Sequence, residues 1–146
     1  MTRSNVLQAD PTNLSVLDAL GGLLLEVGDV DSATEMLQRS IQLAPDENAS
    51  KYMYLGQVQE GAEAVECFEK GITIMQRDVA RLEAEAVQPG TEAVDRRQRL
   101  DELRRGLCSG HCAIAEVLLP DADTTEQIYA RCESSLQQAQ QVRHAV

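Results

Sequence analysis

Cys108, His111 and Cys112 are the residues of this sequence whose types and spacing come nearest to a reactive or metal-binding set. On a helix, Cys108 and Cys112 at i, i+4 share a face, with His111 beside them at i+3. Three soft ligands of this kind hold zinc when a fourth arrives, and Cys132 is the candidate fourth. No loop-borne Cys-x-x-Cys pair accompanies them. The expected role of these cysteines is therefore to pack, as small residues, in tight helix crossings. His111 and His144 are the only histidines. They complete no Ser–His–Asp or Cys–His–Asn order with a strand-borne elbow, and no Gly-rich loop is placed to hold phosphate. Gly21-Gly22 and Gly106 fall inside helical patterns. The expectation is a protein that is not an enzyme and that carries no cofactor and no metal.

Arg96, Arg97, Arg99, Arg104 and Arg105 form a basic cluster that could touch RNA. Opposite charges stand at i, i+4 throughout it: Glu92–Arg96, Asp95–Arg99, Arg97–Asp101 and Asp101–Arg105. That is the lacing of an exposed helix, so no direct nucleic-acid binding is expected. The whole chain points the same way, since 24 acidic and 13 basic residues give a net charge of −11. Such a surface repels nucleic acid and anionic membrane and attracts basic partners. No apolar run approaches the roughly 18 residues of a membrane span. Residues 1–13 lack the apolar stretch of a secretion signal, and four cysteines in such a chain read as reduced thiols. Composition thus favours a soluble intracellular protein.

The elements that must position these side chains are helices. With aromatics at 3% and no Trp, a core of 43% hydrophobic content is built from aliphatic side chains, which suits close helix packing. One domain of 146 residues is expected, and it is organised by a repeat. Leu14, Leu17, Leu20, Leu24 and Val27 recur at helical spacing until Gly28-Asp29 stops the run. Ala33, Met36, Leu37, Ser40 and Ile41 form a second stripe, which Pro45 ends, with Asp46 and Asn48 as candidate N-caps for the next helix.

Leu20-Gly21, Leu24, Gly28, Ala33, Leu37, Ser40 and Pro45 resemble the tetratricopeptide (TPR) pattern of Leu-Gly, Tyr, Gly, Ala, Phe, Ala and Pro. Gly21 and Ala33 are small where two helices cross, while Leu17, Leu24 and Leu37 fill the space between them. Pro11 precedes Pro45 by 34 residues, the period of that repeat. Residues 1–13 then read as the tail of a preceding repeat and 14–47 as the first repeat. In the second, 48–86, Leu55-Gly56, Ala64, Phe68 and Gly71 recur in phase, but Gly56 to Ala64 is eight residues where Gly21 to Ala33 is twelve. The missing four are about one helical turn, so the apolar face keeps its orientation. The turn falls at Gln59-Glu60-Gly61, and the second helix overruns through Ile72, Met75, Val79 and Leu82 towards Ala86. A loop at 87–91 contains Pro89-Gly90. An irregular third repeat occupies 92–146, with one helix from about Glu92 to Leu119 and another from Thr124 or Thr125, carrying Cys132, Leu136 and Ala139. No repeat-ending Pro or polar capping helix follows Ala139, so both ends of the solenoid are expected to be cut or completed elsewhere. The fold class expected is all-α, a TPR-like solenoid of helical hairpins in about three irregular pairs.

Three segments narrow the resemblance: Leu17-Asp18-Ala19-Leu20-Gly21 through Asp29, Tyr54-Leu55-Gly56-Gln57 with Cys67-Phe68-Glu69-Lys70-Gly71-Ile72, and Cys112-Ala113-Ile114-Ala115-Glu116-Val117 with Arg131-Cys132-Glu133. Together they are similar to the dedicated assembly chaperones of large-subunit ribosomal protein L-four, over about Leu14 to Ala139. The resemblance implies a superhelix that wraps a basic extension of a newly made ribosomal protein, in cytoplasm and nucleus. Carrying the TPR phase across, groove-facing carboxylates include Asp18 and Glu26 in the first unit and Glu60 in the second, with Glu116 chosen in the third. A row of carboxylates there would draw in Lys and Arg and raise the association rate. The alternative function is a general TPR adaptor joining two proteins. The heat-shock co-chaperone subclass fits less well: its carboxylate clamp uses Lys, Asn and Arg where this chain has residues such as Asp18 and Gly22.

Overall fold

The structure, a computed structural model, describes residues 12–86 and 90–119, with Ala130, Glu133, Ser134 and Gln137 as isolated helical positions beyond them. Among the described residues five helices follow one another: α1 (Leu14–Glu26), α2 (Val30–Leu43), α3 (Ser50–Val58), α4 (Gly61–Ala84) and α5 (Thr91–Leu118). No strand occurs among the described residues. The expected repeat tail, apart from Thr12 and Asn13, and most of the expected last helix lie outside the described residues. So do Val87 to Pro89 of the expected loop.

The local signals act largely as their chemistry dictates. The Asn13 side chain accepts from the Val16 N–H at 3.2 Å and starts α1. Gly28 takes φ +82°, the left-handed conformation that suits glycine after a helix, and the Asp29 N–H closes back on the Leu24 carbonyl at 2.9 Å. Asp29 then caps α2 through the Ser32 N–H. The short turn of Gln59 and Glu60 leads into Gly61, at φ +55°. The start of α3 differs from expectation. Ala49 stands at the cap and offers no side-chain bond, although Asn48 accepts from the Ser50 N–H at 3.2 Å. Asp46 caps nothing and pairs with Lys70 at 2.8 Å on the surface.

The hairpins close through small-on-large crossings. A β-carbon on Gly21 would lie 2.6 Å from the Leu37 side chain, and one on Gly56 would lie 2.6 Å from the Phe68 ring. Ala33, Leu37 and Ser40 are fully buried, as is Leu17. Gly56 against Phe68 and Gly71 against Met53 set α3 and α4 antiparallel. Gly106 and Gly110, one turn apart on α5, bring that helix onto Met75 and Ile72 of α4 in the same antiparallel sense. The apolar core runs along this contact, through Ala64, Val65, Phe68, Ile72, Met75, Leu103, Leu107 and Ile114. Each large side chain there contributes about 1.5–3 kcal/mol by leaving water. Successive helices thus pack mainly on their chain neighbours, and the arrangement is solenoid-like.

Candidate functional site

An open cleft of about 360 Å³ lies between α3 and α5, with α4 as its floor. Met53, Met75 and Leu103 give it an apolar, deformable lining. Asn48 and Tyr54 line its α3 side, while Asp78, Arg99 and Glu102 supply charge. Those charges are already engaged. Arg99 meets Glu102 at 3.4 Å, and Asp78 accepts from Arg77 at 3.0 Å and Arg81 at 3.3 Å. The spacing of Ser50, Met53/Tyr54 and Gln57, and of Arg99, Glu102/Leu103, Gly106 and Ser109, is that of one face on each helix. That periodicity is visible in the sequence, but its pairing across α4 is not.

The four expected carboxylates occupy different settings, and none lines the cleft. Asp18 is only 6% exposed, and its Oδ2 accepts from Asn48 Nδ2 at 2.5 Å. It is buried at the junction of α1 with α3 and already bonded to Asn48, where a freely exposed groove carboxylate is expected. Glu26 is exposed at the end of α1, Glu60 is exposed in the α3–α4 turn, and Glu116 is exposed near the end of α5. Asp18, Gly22 and Glu26 fall at i, i+4 and i+8 on one face. Gly22 packs on the Tyr54 ring, so this face meets the α3 wall of the cleft. Glu60 and Glu116 are not gathered there.

Beside Asp18 stands a residue the sequence did not single out. Lys51 is fully buried in the first turn of α3. Its ammonium donates to the Ser40 carbonyl at 3.3 Å, to the Ser40 hydroxyl at 3.5 Å and to the Ala44 carbonyl. It so adds a second donor to carbonyls that already accept from the Ala44 and Glu47 N–H groups, at the negative end of α2. Burial pushes the lysine below its ordinary pKa, against the opposing pull of Asp18, Glu47 and Asp46.

The arginine cluster is also rearranged. Arg99 uses Glu102 instead of Asp95, and Arg105 donates to the main-chain carbonyl of Asp101. Arg96 leaves its own helix to reach the Leu82 and Glu83 carbonyls at 2.6 and 3.2 Å, at the C-terminal end of α4, and Arg104 pairs with Glu83 at 2.8 Å. The expected i, i+4 lacing gives way because α4 offers acceptors that also complete a helix end. His111 is buried, which pushes its pKa below 6.5, while Cys108 and Cys112 are half-buried. Burial, with Cys108 beside it, pushes the Cys112 thiol up. Among the described residues no group of three or more His, Cys, Asp or Glu is placed to hold a metal, and Cys132 lies outside them. No helix among the described residues is long and apolar enough to cross a membrane.

No family model matches this chain, and no curated protein matches it. Among solved structures it resembles the assembly chaperone of RpL4 (Acl4), residues 1-338, with a TM-score of 0.70 at 21% identity. That likeness covers 90% of this chain and 50% of the other, so the chain spans about half the length of that protein. At this identity it shows a shared all-α fold. The structure of MamA aligns over 98% of this chain and 85% of its own, at 16% identity and a TM-score of 0.47, too low to carry an argument.

Proposed function

We propose that this chain is a non-enzymatic TPR-type chaperone segment that escorts a basic ribosomal protein, of the L-four kind, in cytoplasm and nucleus. The observation that carries the reading is the fold shared with the assembly chaperone of RpL4 over 90% of the chain. A net charge of −11 supports it, because a basic client extension is the complementary partner. The mechanism is shielding. Exposed carboxylates such as Glu26, Glu60 and Glu116 neutralise client Lys and Arg, while the half-buried Met53 and Tyr54 of the cleft cover apolar spots of the client. Release comes by competition from the client's final binding place.

The charges inside the cleft favour a second reading, a general protein-interaction adaptor. Asp78 and Glu102 are already paired with arginines, and the methionine lining suits an apolar helix. Association kinetics separate the two. Under the first reading, reversing Glu26, Glu60 and Glu116 to Lys slows association with an Arg/Lys-rich peptide. Reversing Glu35, Glu69 and Glu83, which the repeat phase turns away from the groove, slows it less. Equal slowing would leave net charge alone as the cause, and no slowing in either would favour the adaptor.

A further inference from the structure

Asp18 holds a carboxylate whose two oxygens are unequally served. Oδ2 accepts from Asn48 Nδ2, whereas Oδ1 is buried and has no hydrogen-bond partner among the described residues. A buried acceptor of this kind is costly and calls for an explanation. Lys51 stands close enough to feel the charge of Asp18 but makes no hydrogen bond to Oδ1, since its ammonium bonds Ser40 and Ala44. Asn48, by contrast, is an exposed loop residue that also lines the cleft. Its φ of +55° is a conformation that glycine also adopts readily. One turn along α1 from Asp18, the Tyr54 ring lies over Gly22 and lines the same cleft.

We infer that Asp18, screened by Asn48 and flanked by Tyr54, is the anchoring site for a single arginine side chain of the bound protein. The Asn48 amide covers one oxygen of Asp18, and Asn48 itself lines the cleft, so its side chain stands between the two. A guanidinium presents two parallel N–H donors and serves both carboxylate oxygens at once, which neither one amide nor an ammonium point charge does. When the Asn48 side chain swings out, arginine replaces it and satisfies Oδ1. The Tyr54 ring, which lies over Gly22 one turn away and lines the cleft, would attract the same cation. Because Asp18 is buried, its contribution is screened by salt much less than that of the exposed carboxylates. The inference rests on the basic-client reading above and adds to it a preference for arginine over lysine at one position.

The test is fluorescence anisotropy with a labelled arginine-rich peptide and its lysine twin of equal length and charge, at low and at high salt. At high salt the chain should bind the arginine peptide about tenfold more tightly than the lysine twin. Asp18→Asn should abolish that preference. Asn48→Gly, which keeps the positive φ and removes the competing amide, should bind the arginine peptide more tightly and the lysine twin no better. If Asp18→Asn does not fold, Asn48→Gly in the otherwise intact chain decides alone. Equal binding of the two peptides by the unmodified chain, a preference that survives Asp18→Asn, or Asn48→Gly without gain would overturn the arginine site while leaving the basic-client reading in place. Failure of both peptides to bind even at low salt would overturn that reading, and this inference with it.

Discussion

The junction of the first hairpin with α3 and the contact of α4 with α5 are both buried, yet they are held by opposite chemistries. The first is polar: Ser40 and Lys51 are fully buried and Asp18 nearly so, with Asn48 bonded to it. The second is aliphatic and aromatic, from Phe68 and Ile72 across to Leu103, Leu107 and Ile114. Apolar contact is non-directional and supplies most of the free energy of folding. The gain from hydrogen bonds of a buried ammonium is offset in part by the cost of its desolvation, and they accept only a narrow range of angles. The difference assigns roles: the α4–α5 contact keeps the chain folded, and the Lys51 junction fixes how the first hairpin stands on the second. The cleft takes something from each, with Asn48 from the polar junction and Met75 and Leu103 from the apolar one.

The comparison breaks most visibly at Leu107 of α5, buried in the apolar core. Leu107→Ala should destabilise the chain by about 2–5 kcal/mol, read as a fall in the denaturant midpoint at unchanged slope. A loss well below that would mean the apolar contact is not the stabilising one. Lys51→Ala should cost less, about 1–3 kcal/mol for the lost hydrogen bonds of the ammonium to Ser40 and Ala44. It should also change amide exchange around α2 and α3 while leaving α4 and α5 protected. Protection lost throughout would show that the junction sustains the whole fold rather than an orientation.

The smallest effect is a pH dependence. His111 is held below its ordinary pKa of 6.5 by burial beside the apolar core. The unfolded chain therefore takes up the proton first as the pH falls. Its contribution to stability is intact above pH 6.5 and is lost as the pH drops from there towards the lower folded value. Denaturant midpoints measured from neutral to mildly acidic pH should fall in that window, and His111→Leu should flatten the fall. An equally steep fall in the variant would locate the titrating group elsewhere.

Much of the fold is legible in the sequence because its signals are local. Gly28-Asp29, Gly61 and Pro45 mark turns by backbone chemistry. The pairing of Gly21 with Leu37 and of Gly56 with Phe68 follows from a repeated residue pattern that is four residues shorter in the second hairpin, and the limits of the described helices lie within a residue or two of those expected. What the sequence hides depends on partners distant along the chain. A lysine reads as a surface residue until the C-terminal carbonyls of α2 are brought to it. Arg96 and Arg104 have nearer carboxylates on their own helix and still turn to α4. The phase of the repeat picks out Asp18, but phase alone does not show that Asn48 covers it. The cleft is hidden for the same reason, since the residues that line its two walls lie more than forty positions apart in sequence.

The central claim is that an acidic helical solenoid binds a basic protein segment by charge, and a salt titration of peptide binding tests it most directly. With an arginine- and lysine-rich peptide, affinity should fall steadily as salt rises, because each exposed ion pair contributes only about 0.2–1 kcal/mol and several act together. An affinity that does not change with salt, or equal binding of an uncharged amphipathic helix, would contradict the account.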